Sequence, residues 1–120
     1  MTTRRSRHHG NADDLLAAQH AALRLVVPLL GFGEPLSTVG VNGDVRVWRG
    51  VPTYAEDTVR PGDLVTTDPD MAWNYASRRG KLIEADIDAS LLTYHQRTGA
   101  YEVELRYAGT RPTGRVVRRG

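Results

Sequence analysis

Pro61-Gly62-Asp63-Leu64-Val65-Thr66-Thr67-Asp68-Pro69 holds a turn, a strand, two hydroxyls and a helix start in one short run. Pro-Gly is a tight-turn signal, and Asp63 to Thr67 reads as the strand that follows it. Thr67 or Asp68 is placed to cap a helix whose first turn accepts Pro69. Met71, Ala72, Tyr75 and Ala76 recur as that helix's apolar side, Arg78 and Arg79 suit its negative end, and Gly80 stops it. A strand leading straight into a helix cap is an α+β signal. The plain reading of the threonines is capping. The functional reading sets the Thr66 or Thr67 hydroxyl at a cleft floor, with the Tyr75 ring available for stacking.

Outward from this segment the chain reads as short strands. Asn42-Gly43 turns into a strand over Asp44 to Arg49, and Lys81 to Ile87 and Tyr101 to Tyr107 are two more. Upstream, Leu15, Leu16, Gln19, Leu23, Val26, Val27 and Leu30 form one apolar stripe of a helix capped by Asn11 or Asp13 and ended by Pro28. Gly31, Gly33, Pro35 and Gly40 make a loop. Residues 1–11 lack apolar periodicity and read as a disordered basic tail, 12–107 as the folded domain, and 108–120 as a basic C-terminal tail.

Charge follows the same division. Residues 13–104 hold all 14 acids and eight bases, a net of −6, whereas the two ends carry eight arginines and no acid beyond that span. Such ends either solvate the chain or grip nucleic acid or an acidic surface. No apolar window is long enough to span a membrane, and the basic start lacks the apolar run of a secretory signal. Zero cysteines exclude disulfides and thiol catalysis, and His8, His9, His20 and His95 show no ligand spacing, so no metal is expected. There is no G-x-S-x-G, P-loop or G-x-G-x-x-G.

Two clusters carry chemistry. In Asp44-Val45-Arg46-Val47-Trp48-Arg49-Gly50, alternation aligns Arg49 with Val45 and Val47. A guanidinium beside a core needs an anion, either a nearby carboxylate or a ligand phosphate or ribose that it clamps. Gly50 permits a close approach. In Tyr101-Glu102-Val103-Glu104-Leu105-Arg106-Tyr107, Tyr101, Val103, Leu105 and Tyr107 face the core. Glu102 and Glu104 share the other face, about 7 Å apart. Paired carboxylates bind a sugar diol or stabilise a developing cation, or they form a solvated face, as Glu84, Asp86 and Asp88 do in the preceding strand.

The order of Val47-Trp48-Arg49-Gly50, then Pro61-Gly62-Asp63-Leu64-Val65-Thr66-Thr67-Asp68 with Ala72 and Tyr75, then Lys81-Leu82-Ile83-Glu84, then Glu102-Val103-Glu104 resembles the ADP-ribosyltransferase family, its small bacterial and phage-type members above all. The resemblance covers residues 44–107. It implies a split β-sandwich, with an N-terminal helix and one short helix between strands, that takes NAD as substrate in the cleft between two sheets. Arg49 and Gly50 would meet the diphosphate or ribose, and Thr66-Thr67-Asp68 would stand for a Ser-Thr-Ser segment, with Tyr75 beside it. Glu104 would stabilise the ribosyl cation and Glu102 would engage the acceptor, with Glu84 as an alternative acid. The implied activity is mono-ADP-ribosylation of a macromolecule, protein arginine among the acceptors. The setting would be a phage-encoded modifier or bacterial toxin in the cytoplasm. The alternative is a catalytically silent relative serving as an interaction module or virion component.

Overall fold

The computed structural model describes residues 2–120, with side chains from Asp14 onward. Alternation along β1 (Asp44–Val51) sends Val45, Val47 and Val51 to one face and Trp48 to the other, and the sheet is organised around this strand. β1 pairs antiparallel with β3 (Lys81–Asp88) along its whole length, from Asp44 opposite Asp88 to Val51 opposite Lys81. On its other side β1 meets β2 (Leu64–Thr66) at the single pair Trp48 and Thr66. Adding β4 (Leu92–Arg97), β5 (Val103–Tyr107) and β6 (Arg115–Arg119) gives a six-stranded antiparallel sheet in the order β4-β5-β2-β1-β3-β6. The one-residue seam divides it into the halves β4-β5-β2 and β1-β3-β6.

The main core lies on the valine face. Val45, Val47, Ile83, Ala85, Ile87 and Leu105 pack there with Leu23 of the first helix and Val27 just after it. That helix, α1, spans Thr2–Val26 and gives way to a 3-10 turn over Val27–Leu29, where Pro28 has no amide hydrogen to continue an α-helix. Gln19 fastens α1 to the sheet. Its amide donates to Arg46 O at 2.9 Å and accepts from Arg46 N at 2.8 Å, as a neighbouring strand would. On the opposite face a smaller cluster joins Trp48 and Leu82 to Ala72, Trp73 and Ala76 of α2 (Pro69–Tyr75) and the turn after it. α2 is capped by the Asp68 side chain, which accepts from Asp70 N at 2.9 Å. Gly50 lets it sit down, because a Cβ there would lie 1.7 Å from Ala72 O.

The structure departs from the sequence reading in several places. α1 begins at Thr2, upstream of the expected Asn11 or Asp13 cap. The expected disordered tail over 1–11 falls on side chains outside the described residues. Residues 108–120 are not a tail: Arg115–Arg119 is β6, held by its ladder to β3 although it has no apolar alternation of its own. β4 was not read at all, since Leu92 is its one fully buried residue. α2 stops at Tyr75, short of Arg78 and Arg79. It buries Trp73, leaving Tyr75 exposed. Tyr101 precedes β5 and stacks on His20 with ring centroids 4.6 Å apart, outside the core. Among the described residues no helix is long and apolar enough to cross a membrane.

Candidate functional site

Past the Trp48–Thr66 pair β1 and β2 part, and the gap becomes a cavity of about 250 Å³. Trp48, Arg49 and Gly50 of β1, Leu64, Val65 and Thr66 of β2, Tyr75 of α2 and Glu104 of β5 line it. Thus Arg49, Gly50, Thr66, Tyr75 and Glu104 meet in one hollow, although 55 positions separate Arg49 from Glu104. Thr67 and Glu102 lie outside its lining.

Arg49 and Thr66 are each held by a local partner. The Arg49 guanidinium donates to Leu64 O at 2.9 Å, so a side chain meets the carbonyl that faces the parted strand. It also lies 3.4 Å from Asp63, which is the carboxylate partner that a guanidinium at the core edge requires. Thr66 Oγ1 accepts from Asp68 N at 3.0 Å, which orders the hydroxyl beside the helix cap. Tyr75 is 58% exposed and leaves a ring at the mouth. A second hollow of about 200 Å³ shares Arg49 and is lined by Thr58, Arg60 and Asp63 among others.

Glu104 is 7% exposed, and its position explains why. It pairs with Thr66 in the β2–β5 ladder, on the rung of the seam itself and one strand away from it. The β4–β5 ladder shifts register between Tyr94 and Gln96, so His95 is an extra residue in the strand. The bulged residue and the one after it both approach one carboxylate. Gln96 Nε2 donates to Glu104 Oε1 at 2.9 Å, and His95 Nε2 stands 3.7 Å from the same oxygen. Phe32 packs against the His95 ring at 5.6 Å. A buried carboxylate with a fixed donor is suited to face developing positive charge in a partly dry hollow.

Thr67 and Glu102 do other work. Thr67 is fully buried, and its Oγ1 accepts from Val103 N at 3.0 Å, tying β2 to β5. Glu102, just before β5, faces Asp68 and Asp70 at the start of α2. Burial, then Asp68, then Asp70 push its carboxyl up to about 7. Glu84, the alternative acid, faces Trp48 Nε1 at 3.2 Å and Arg46 at 3.9 Å, away from the cavity lining. His95 and Gln96 were missed in the sequence because a bulge, not a motif, brings them to Glu104. Among the described residues no group of three or more His, Asp or Glu is arranged to hold a metal ion. No family model, curated protein or solved structure matches the chain.

Proposed function

We propose that the cavity binds the nicotinamide ribose end of NAD and that the chain is a mono-ADP-ribosyltransferase. The carrying observation is the convergence of Arg49, Thr66, Tyr75 and Glu104, the residues that the resemblance assigns to NAD, at one parted seam. The finer fold belongs to the same reading: two sheet halves meeting at one rung are taken as the two sheets of a split β-sandwich. A cavity of about 250 Å³ suits one end of a dinucleotide. The neighbouring hollow that shares Arg49 offers room for the diphosphate side.

The residues divide the work by chemistry. Arg49 presents a planar fork to a phosphate or ribose oxygen. Thr66 orients a ribose hydroxyl. Tyr75 covers a planar ring. As the bond to nicotinamide breaks, the sugar gains positive charge, and the Glu104 carboxylate stabilises it. The acceptor then attacks the sugar carbon and loses its proton. Glu102, outside the lining and beside Asp68 and Asp70, is assigned to the acceptor by the same resemblance. The biological setting that goes with this activity is a phage-encoded modifier or a bacterial toxin.

A second reading is a silent relative that serves in assembly or interaction. Arg49 favours it, since Leu64 O and Asp63 already occupy part of its fork. Nicotinamide release from NAD by the purified protein decides between the two. Release that falls on the order of tenfold or more in Arg49→Ala supports the transferase. Wild-type protein that neither binds NAD nor releases nicotinamide overturns it in favour of the silent relative.

A further inference from the structure

Two basic stretches of the described side chains are far apart in sequence and adjacent in space. Arg78 and Arg79 sit in the turn after α2, while Arg115, Arg118 and Arg119 lie on β6. The last residues of β6 run directly against that turn, where Gly120 N donates to Gly80 O at 2.9 Å. Glycine is needed for this approach, because a Cβ at Gly120 would lie 2.5 Å from Arg79 Cα. A bulge in the β3–β6 ladder at Leu82/Ile83 turns Arg115 and Arg118 to the same side, opposite Glu84 and Leu82. That side also carries α2, and the Arg118 guanidinium lies 4.4 Å from the centre of the Trp73 ring.

The local acids are already engaged. Asp57 takes Lys81 at 2.5 Å and Arg119 at 3.6 Å. Glu84 is shared by Arg46 and Arg115. Among the described residues, Arg78, Arg79 and Arg118 have no carboxylate within 4.0 Å. Concentrating like charge costs stability through self-repulsion. The turn adds strain, since Ser77 and Arg78 are left-handed at φ 55° and 57°. Guarding an open sheet edge explains Arg115 and Arg119 on β6, but not the two arginines of the turn. The opposite edge needs no such guard, for β4 is covered by residues 33–35.

We propose that this β6 edge, with the Arg78–Arg79 turn, is a binding surface for the phosphate backbone of nucleic acid. Guanidinium forks match phosphate oxygens, and the patch lacks the apolar centre of a protein–protein interface, Val117 being its one exposed large aliphatic residue. Arg118 on Trp73 is continuous with α2, whose Tyr75 opens onto the cavity, so a bound strand lies beside the proposed active site. The inference rests on charge and packing and stands whether or not the cavity turns over NAD.

Fluorescence anisotropy with labelled single-stranded and duplex 20-mers tests it. Three uncompensated arginines give a slope of log K against log salt of about −2 to −3. Arg78→Glu/Arg79→Glu, a change confined to exposed side chains, should weaken binding on the order of tenfold or more with no fall in melting temperature. Arg97→Glu, on the opposite edge strand, should leave it unchanged. If that pair fails to fold, Arg78→Gln/Arg79→Gln at the same positions should show a smaller loss and a shallower slope. The single-strand and duplex arms identify which form is held. Equal losses in the Arg97 and Arg78/Arg79 variants, a slope near zero, or preference for poly-glutamate or anionic vesicles over either oligonucleotide overturns the proposal.

Discussion

Gln96 reaches Glu104 because its own strand, β4, is irregular: the bulge at His95 lets Gln96 Nε2 donate to Glu104 Oε1 at 2.9 Å. Hydrogen bonds to charged groups contribute about 1.5–3 kcal/mol, so Gln96→Met is expected to slow nicotinamide release roughly 10- to 100-fold. NAD affinity should change little, because Gln96 touches Glu104 and does not itself line the cavity. Steady-state kinetics with a separate binding titration checks both halves. Unchanged turnover would show that the bulge is only a feature of strand packing.

Glu102 carries a pH signature of its own. The Glu102 carboxyl is raised from 4.5 to about 7 in the folded chain. A raised folded value means that the native state holds the proton more tightly than the unfolded chain does. Its stabilisation is therefore complete below about 4.5 and is lost as pH rises through about 7. Melting temperature is expected to fall across that window more steeply in wild type than in Glu102→Gln, which cannot ionise. Identical slopes in the two proteins would refute the assignment. Glu104→Gln, by contrast, should abolish nicotinamide release by on the order of 10²-fold or more while Glu102→Gln spares most of it.

Thr66 and Thr67 are adjacent and should fail differently. Thr67→Val keeps the shape and removes the acceptor for Val103 N, leaving a buried amide unpaired at a cost of about 1–3 kcal/mol. Denaturant unfolding should report that loss, with NAD affinity intact. Thr66→Val should show the reverse weighting, since Thr66 lines the cavity.

Gly50→Ala is expected to destabilise the fold by about 3 kcal/mol or more, the upper range of overpacking. The added carbon would lie 1.7 Å from Ala72 O and 2.7 Å from Ala72 C, both backbone atoms of α2 that no rotamer change can move. A variant that melts within a degree of wild type would mean that α2 can shift bodily.

How much of this was legible depends on whether neighbours in sequence or neighbours across the sheet decide the outcome. β1 and β2 announce themselves through turns at Gly43 and Gly62, both left-handed at φ 78° and 92°, and β1 also through valine alternation. Pro28 marks the end of α1 for a reason contained in one residue. β6 has no such signal, since Arg115-Val116-Val117-Arg118-Arg119 becomes a strand only by pairing with β3. Arg49, Thr66 and Glu104 could be named from their residue types and order. Assigning Thr67 to a backbone amide and Glu102 to the Asp68–Asp70 corner needed the register of β2 against β5, which alternation within one strand does not contain.

The single rung joining β1 to β2 has an evolutionary consequence. The hollow lies where two backbones diverge, beside the apolar cluster and not within it, so changing what fills it leaves that cluster's packing in place. Leu64 and Tyr75, partly or largely exposed on its walls, are free to drift in size and polarity at little cost to folding. Descendants of this chain can thus trade one ligand for another by substitution at the walls, while the eight-residue β1–β3 ladder carries the architecture through unchanged.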